Sequence, residues 1–505
     1  MRKSLERIVD ITIAFWALWI LFILATGGVT LKLGFLEITS HHLKNPLTCL
    51  IIVSALKLWL KRRTLRNGLC GRIWAALSNW YHSKREHIVQ AAMLTAIFLA
   101  VFISHVGSRN ITSNDSRYTI YTAMSLIEQG NTDLDEYEEL FLRSDYRIEE
   151  VNGHHYEIFP IGASLVAVPF VWVREKLMAG ERLADNMTLC WELEELVASF
   201  VIAAASIFIY LISHTLTGRA KYSLLMAFLF AFCTPSWSTA SRALWQHGPS
   251  MLLLSITLYV ILLARNKPYL IQWAGIPLAF SYVVRPTNSI SVLLLTVFVL
   301  IQYRKYFLRF VFSAMSVAIP FLLFNFSIYD SFLPRYYFMQ HVGHDLSPRF
   351  FEHLAGLLIS PSRGLFVFSP ILLLSIYGIA LKIRHERFMM LDRLLLGIIC
   401  MHWIVISIVT SWGGHSFGTR FFSDMIPYFI YFLIPVPAEM LEARGARKVI
   451  LVSIFSCLAL ISFFIHYRGA NESSAIEWNS TPVDVDVDPK RIWDWSDIQF
   501  LRGIT

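Results

Sequence analysis

Val197-Ala-Ser-Phe-Val-Ile-Ala-Ala-Ala-Ser-Ile-Phe-Ile-Tyr-Leu-Ile-Ser-His-Thr-Leu216 runs for twenty residues without one Asp, Glu, Lys or Arg. Coiled as an α-helix it would reach about 30 Å, the thickness of the hydrocarbon core of a bilayer. Residues 11–30, and 251–264 with their flanks, have the same character. The whole chain follows suit: its 505 residues are 55% apolar and only 16% charged, with a mean hydropathy of +0.53, whereas soluble domains carry about 25% charged residues. A cytosolic globular protein is excluded, and the fold class expected is an all-α polytopic membrane protein.

Hydropathy places thirteen spans, at 10–30, 43–60, 87–106, 194–216, 221–237, 248–265, 268–285, 287–303, 310–329, 364–382, 392–411, 425–438 and 447–466. The opening Met1-Arg-Lys-Ser-Leu-Glu-Arg7 precedes a run too long for a signal peptide and lacks a small-residue cleavage site, so it reads as a retained first span. With the N-terminus inside, the inner connections collect Lys61-Arg62-Arg63, Lys84-Arg85, Arg304-Lys305 and Arg447-Lys448, as the positive-inside rule requires. The inner side then holds 24 basic and 7 acidic residues and the outer side 20 and 29, so the formal charge of +8 is a topological signature. Nucleic acid is not expected as a partner. Three divisions follow: 1–86 with two spans and a basic loop, a core at 87–466, and an outward tail at 467–505. Of six cysteines only Cys190 falls in an outer loop, which removes disulfide frameworks and cysteine metal sites.

The outward segment 107–193 is too long to be a connector. Within it 118–129 reads as a short amphipathic helix ended by Gly130, and 158–178, interrupted by Pro160 and Pro169, as a helix lying in the outer interface. Charges that approach the apolar layer from outer loops are informative, because they are costly without a ligand or partner. They are Arg109, Asp115, Arg117, Arg242, His247, Arg285, Arg335, Arg349, Arg363, His415, Arg420 and Asp424. Mid-span regions hold no Asp or Glu, which counts against a proton-coupled pump. Arginines grouped around a carboxylate suit a lipid-linked phosphate: the planar fork grips phosphate oxygens, and a carboxylate base activates an acceptor hydroxyl.

Asn114-Asp-Ser-Arg-Tyr118, a helix ending at Gly130, Val151-Asn-Gly-His-His-Tyr156 and Phe159-Pro-Ile-Gly162 occur in an order that resembles the first outer loop of the GT-C glycosyltransferases. Among these it resembles the bacterial lipid A aminoarabinose transferases and the protein O-mannosyltransferases. In those families the loop opens with an Asp-Glu-x-Arg-Tyr type motif and continues through an Asn-Gly-x-x-Tyr turn to a Pro-rich juxtamembrane helix. Arg285-Pro-Thr287 and Trp412-Gly-Gly-His-Ser-Phe-Gly-Thr-Arg-Phe421 are similar to later features of the class, and the likeness covers roughly 87–430. It implies a GT-C-like bundle, a polyprenyl-phosphate sugar as donor and inverting transfer at the outer face of a bacterial plasma membrane. It leaves the acceptor open among lipid, glycan and protein. Asp115 is then the base, and Arg117, Tyr118, Tyr156, Arg242, His247, Arg285, Arg363, His415 and Arg420 the substrate-binding set. Anchored on Arg117-Tyr118, Asn114 stands where the family has its first Asp, so either Asp115 serves from the next position or another acid, Asp133 or Asp135, does.

Each residue also has a plainer reading. Asp115 and Ser116 are good helix N-caps, the acidic run 133–139 reads as solvated surface, and Arg285 and Arg363 could snorkel to headgroups. His154 and His155 diverge on an extended chain, so no metal or cofactor is expected. A flippase for lipid-linked saccharide, or an envelope polysaccharide polymerase or ligase with a pyrophosphate-linked donor, are the competing functions.

Overall fold

The computed structural model describes residues 69–112, 114–140, 145–177, 182–333, 349–408 and 412–504, preceded by 12, 29–33, 36–40, 50, 53–54 and 57. Two compact units divide the chain at 93/94. In the first, β1 (Val29–Leu33) and β2 (Leu36–Ser40) form an antiparallel hairpin with Leu33 opposite Leu36. The expected spans 10–30 and 43–60, a few positions aside, lie outside the described residues, as does Arg335. Helix α1 (Leu69–Val106) passes through the expected boundary at 86/87 without a break.

Among its described residues the second unit has helices and one small hairpin as its regular elements. Its outer loop contains α2 (Thr119–Glu128), the antiparallel pair β3 (Ile148–Val151) and β4 (His154–Glu157), and α3 (Gly162–Leu177). The long helices follow: α4 (Met187–Thr217), α5 (Ala220–Phe232), α6 (His247–Ala264), α7 (Gly275–Val284), α8 (Ser289–Gln302) and α9 (Phe307–Tyr329). Beyond them come α10 (Phe350–Ile359), α11 (Leu365–Phe368), α12 (Leu373–Arg384), α13 (Met390–Ile408), α14 (Ile426–Leu433), α15 (Pro435–Glu442), α16 (Gly445–Asn471) and α17 (Ser473–Glu477). Among the described residues seven helical segments are long and apolar enough to cross a bilayer, and three shorter apolar helices accompany them. The chain is a helical membrane protein.

Local chemistry sets the breaks. Asn186 starts α4 by accepting hydrogen bonds from the N–H groups of Thr188 and Leu189, and Gly218, at φ 65°, ends it. Expected span 364–382 is split because Pro370 has no N–H to give and drives Ser369 out of helical geometry. The expected span 425–438 falls within one apolar helical segment, Arg420–Glu442; α14 gives way to α15 at Pro435, but Ile434 between them keeps helical geometry, at φ −51° and ψ −38°. Gly378 lets α12 cross α14 closely, since a Cβ there would collide with the Phe432 carbonyl oxygen.

Helix α2 has no side-chain cap; its N-terminal flank is Tyr118, so the capping reading of Asp115 and Ser116 does not hold. All of Thr119 to Ser125 is buried, more than one amphipathic face, because α3 covers one side and the β3–β4 hairpin the other. Ala163, Ala167 and Val171 recur every fourth residue on the buried side of α3, while Leu165, Trp172 and Val173 face outward.

Candidate active site

Four sequence-selected residues converge on one cleft. Asp115, nine residues beyond α1, His247 at the start of α6, Arg285 at the end of α7 and Arg420 in the turn before α14 all line it, with Phe159, Trp245 and Phe421 among its walls. The cleft encloses about 40 Å³, room for water or a few ligand atoms. Helix α6 leads away from it for 18 residues, about 27 Å.

The Asp115 carboxylate accepts from Arg420 Nη1 at 2.7 Å through Oδ2 and from the Tyr146 hydroxyl at 2.8 Å through Oδ1. Burial by itself would raise its pKa; the Arg420 charge and the two hydrogen bonds outweigh it and hold the group below the ordinary aspartate value. It is therefore an ionised carboxylate whose side chain remains 26% exposed. Arg420 in turn lies over the Trp245 ring, 4.5 Å from its centroid, which orients the guanidinium without using its donors. The neighbouring Asn114 is turned aside, its side-chain and backbone oxygens both accepting from Arg147 Nη1 at 3.0 Å. Arg147 is also anchored to Asp145.

Arg285 is fixed by its own sequence. Pro286 forces the residue before it out of the helical region, so Arg285 ends α7 in extended geometry, at φ −147° and ψ 109°. Gly162 permits the close contact behind it: a Cβ there would stand 2.5 Å from Val284 Cα. Arg285 Nε lies 2.7 Å from Asp424 Oδ2, and His247 Nδ1 lies 3.2 Å from the same oxygen. With Nδ1–H donating to the Asp424 carboxylate, His247 Nε2 is left to accept from Arg285 Nη1 at 3.4 Å. Arg285 Nη2, Arg420 Nε and Asp424 Oδ1 are buried with no hydrogen-bond partner among the described residues. A buried donor without a partner costs about 1–3 kcal/mol, so Arg285 Nη2 and Arg420 Nε are the cationic donors in this cluster that the protein itself leaves unused.

Asp424 and Tyr146 were not assigned roles from the sequence. Asp424 follows Arg420 by four residues at the mouth of a span, a spacing that signals a shared face; nothing in the sequence marks Tyr146, which stands in the turn two residues before β3.

The other selected residues sit elsewhere. Arg242, completely buried, donates to the carbonyls of Trp237, Asn110 and His105 and pairs with Glu195. Arg363 donates to the carbonyls of Gly413, Ser362 and Gly414 and to the side chains of Gln499 and Asn479, clamping the tail onto the glycine-rich turn. Neither lines the cleft. Arg117 reaches Met187 Sδ, and the Tyr118 hydroxyl donates to Asp145. Tyr156 edges a separate pocket with Phe321 and Tyr329, and His415 meets Asp484 and Asp486 of the tail.

The histidine reading is corrected. His154 and His155 do not diverge; their Nδ1 atoms both approach Asp135, at 2.6 and 3.1 Å, because the loop before α2's partner hairpin folds back over β4. Ligand atoms of Asp133, Asp135 and His154, and separately of His415, Asp484 and Asp486, lie close enough together to hold a cation; Asp135 already accepts from both histidines, His415 meets Asp484, and Asp486 is exposed. The acidic run is also less solvated than expected: Asp133 and Tyr137 are buried, while Glu136, Glu138 and Glu139 face solvent.

Glu157, beside the Tyr156 pocket, accepts from Thr119 and Thr122 in a buried position. Burial pushes its carboxyl up to about 8, against the hydrogen bonds of the two threonines. A carboxyl whose folded pKa is raised makes the folded state the better proton binder, so stability falls as pH rises from the unfolded value towards 8. Glu157→Gln copies the protonated acid: it should melt within a few degrees of the wild type at pH 5 and above it at pH 8 and beyond, as read by thermal unfolding in detergent.

Comparison with models of known protein families and with curated proteins yields no match.

Proposed function

We propose that the chain is a membrane glycosyltransferase of GT-C type, moving a sugar from a polyprenyl-phosphate donor to an acceptor hydroxyl. The observation that carries this reading is the presence, in one cleft, of an ionised Asp115 and of Arg285, whose buried Nη2 has no hydrogen-bond partner among the described residues. Arg285 and Arg420 would hold the donor phosphate. The acceptor oxygen attacks the anomeric carbon from the face opposite the phosphate; the carbon–oxygen bond to phosphate breaks, its electron pair leaving with the polyprenyl phosphate, and Asp115 takes the acceptor proton. Phosphate leaves readily, so a base of depressed pKa suffices. Protonation of Asp115 cancels its charge beside Arg420 just as the leaving phosphate gains charge, so the guanidinium becomes available when it stabilises the transition state most. With this geometry Arg242 and Arg363, whose donors are spent on the protein, have no part in phosphate binding.

Purified protein in vesicles should release polyprenyl phosphate from radiolabelled polyprenyl-phosphate sugars, and not from pyrophosphate-linked oligosaccharides. Donor that crosses the bilayer uncleaved would replace this reading with transport, and cleavage of the pyrophosphate donor alone would replace it with a polymerase or ligase.

A further inference from the structure

At the far end of α6 from the Asp115 cleft, a second cavity of about 590 Å³ opens among the C-terminal ends of α4, α6 and α12 and the helix α15. It falls in the range of ligand pockets, about 300–1,000 Å³, whereas the cleft does not. One wall is apolar, built by Leu216, Leu381, Ile434 and Ala438. The rim carries Arg219, Arg265, Lys382 and Arg387.

Acids line it too, and their bonds decide the balance. Buried Asp392 is held by the Lys382 ammonium, by the Tyr431 hydroxyl at 2.8 Å and by the Met389 N–H at 2.7 Å. Glu439 is paired with Arg447. Of the charges that remain in the lining, Glu386 and Glu442 stand against Arg219, whose Nη1 donates to the Tyr222 hydroxyl at 3.1 Å, Arg265 and Arg387, an excess of one positive charge. Arginines at helix C-termini beside a membrane ordinarily complement the helix dipole or snorkel to headgroups. Here they instead surround an open-mouthed hollow with a hydrocarbon-like wall, and guanidinium matches phosphate geometry better than any other anion-binding side chain.

We infer that this cavity binds a phosphate-bearing amphiphile, with the phosphate on Arg219 and Arg265 and the hydrocarbon part against Leu216, Leu381 and Ile434. The site does not depend on the reaction proposed above. Its phosphate could come from a membrane phospholipid or from the aqueous phase, and both sources share the same recognition chemistry.

Native mass spectrometry of the full chain in a neutral detergent distinguishes them. Dioleoyl phosphatidylglycerol should bind, and dioleoylglycerol, the same lipid without its phosphate headgroup, should not. Arg219→Gln combined with Arg265→Gln should weaken phosphatidylglycerol binding at least tenfold, and Arg387→Gln alone should weaken it measurably. Arg384→Gln, an exposed change on α12 outside the lining, should leave it unchanged. All four arginines are exposed, so these changes leave the folded core untouched. Displacement of the lipid by millimolar inorganic phosphate, lost in the same variants, would support the site with an aqueous ligand. Equal binding of dioleoylglycerol, or equal losses from Arg384→Gln and the paired change, would overturn the inference.

Discussion

Asp115→Asn should cut transfer by about 10²–10⁴-fold, the range measured for removing a general base, with donor affinity changed less than threefold. The amide keeps the shape and can still accept from Arg420 or Tyr146 through its one oxygen, but it cannot take a proton. Stability should move little, within about 1 kcal/mol, because the ion pair with Arg420 is partly open to solvent. Single-turnover rates with bound radiolabelled donor separate the chemical step from binding. Turnover within threefold of wild type would remove Asp115 from the mechanism. In the wild type, activity should persist into acid and fail only as pH drops through a carboxylate pKa lying below the ordinary aspartate value.

Arg285→Ala should be the most damaging change for folding in the cleft. Asp424 is fully buried, and Arg285 is its only arginine partner among the described residues. Removing one member of a buried pair costs about 3–5 kcal/mol, mostly because the surviving charge is stranded. Adding Asp424→Asn removes that charge, so the double variant should recover a large part of the loss while donor binding stays abolished. The two readouts, melting in detergent and donor binding, therefore separate: Asp424→Asn should rescue the first and not the second. Rescue of both would show that Arg285 serves the fold alone.

Residue type and position made much of the cleft legible. Asp115, His247, Arg285 and Arg420 stand at the ends of separate apolar runs, and charge at such a boundary is costly enough to be noticed in a sequence. The same reasoning selected Arg242 and Arg363 and could not tell them apart from the others. Whether an arginine is free depends on carbonyls left bare in irregular turns, such as Gly413 and Gly414 for Arg363 or Trp237 for Arg242, and no residue type marks a bare carbonyl. Hydropathy found the apolar runs but not the interruption of one of them, because a window average passes over Pro370, while the backbone cannot. The convergence of His154 and His155 on Asp135 was hidden for a related reason: alternation along a strand fixes which way a Cβ points, not where a facing loop will bring a carboxylate.

Asp115 and Arg420 lie 305 positions apart in the chain. A ribosome adding about 5–20 residues per second needs roughly 15–60 s to make that stretch. Throughout this time the nascent product carries the acid without its guanidinium partner, and any fragment released before the late span is threaded lacks a finished cleft. Biosynthesis thus leaves the cleft unassembled until insertion is nearly complete.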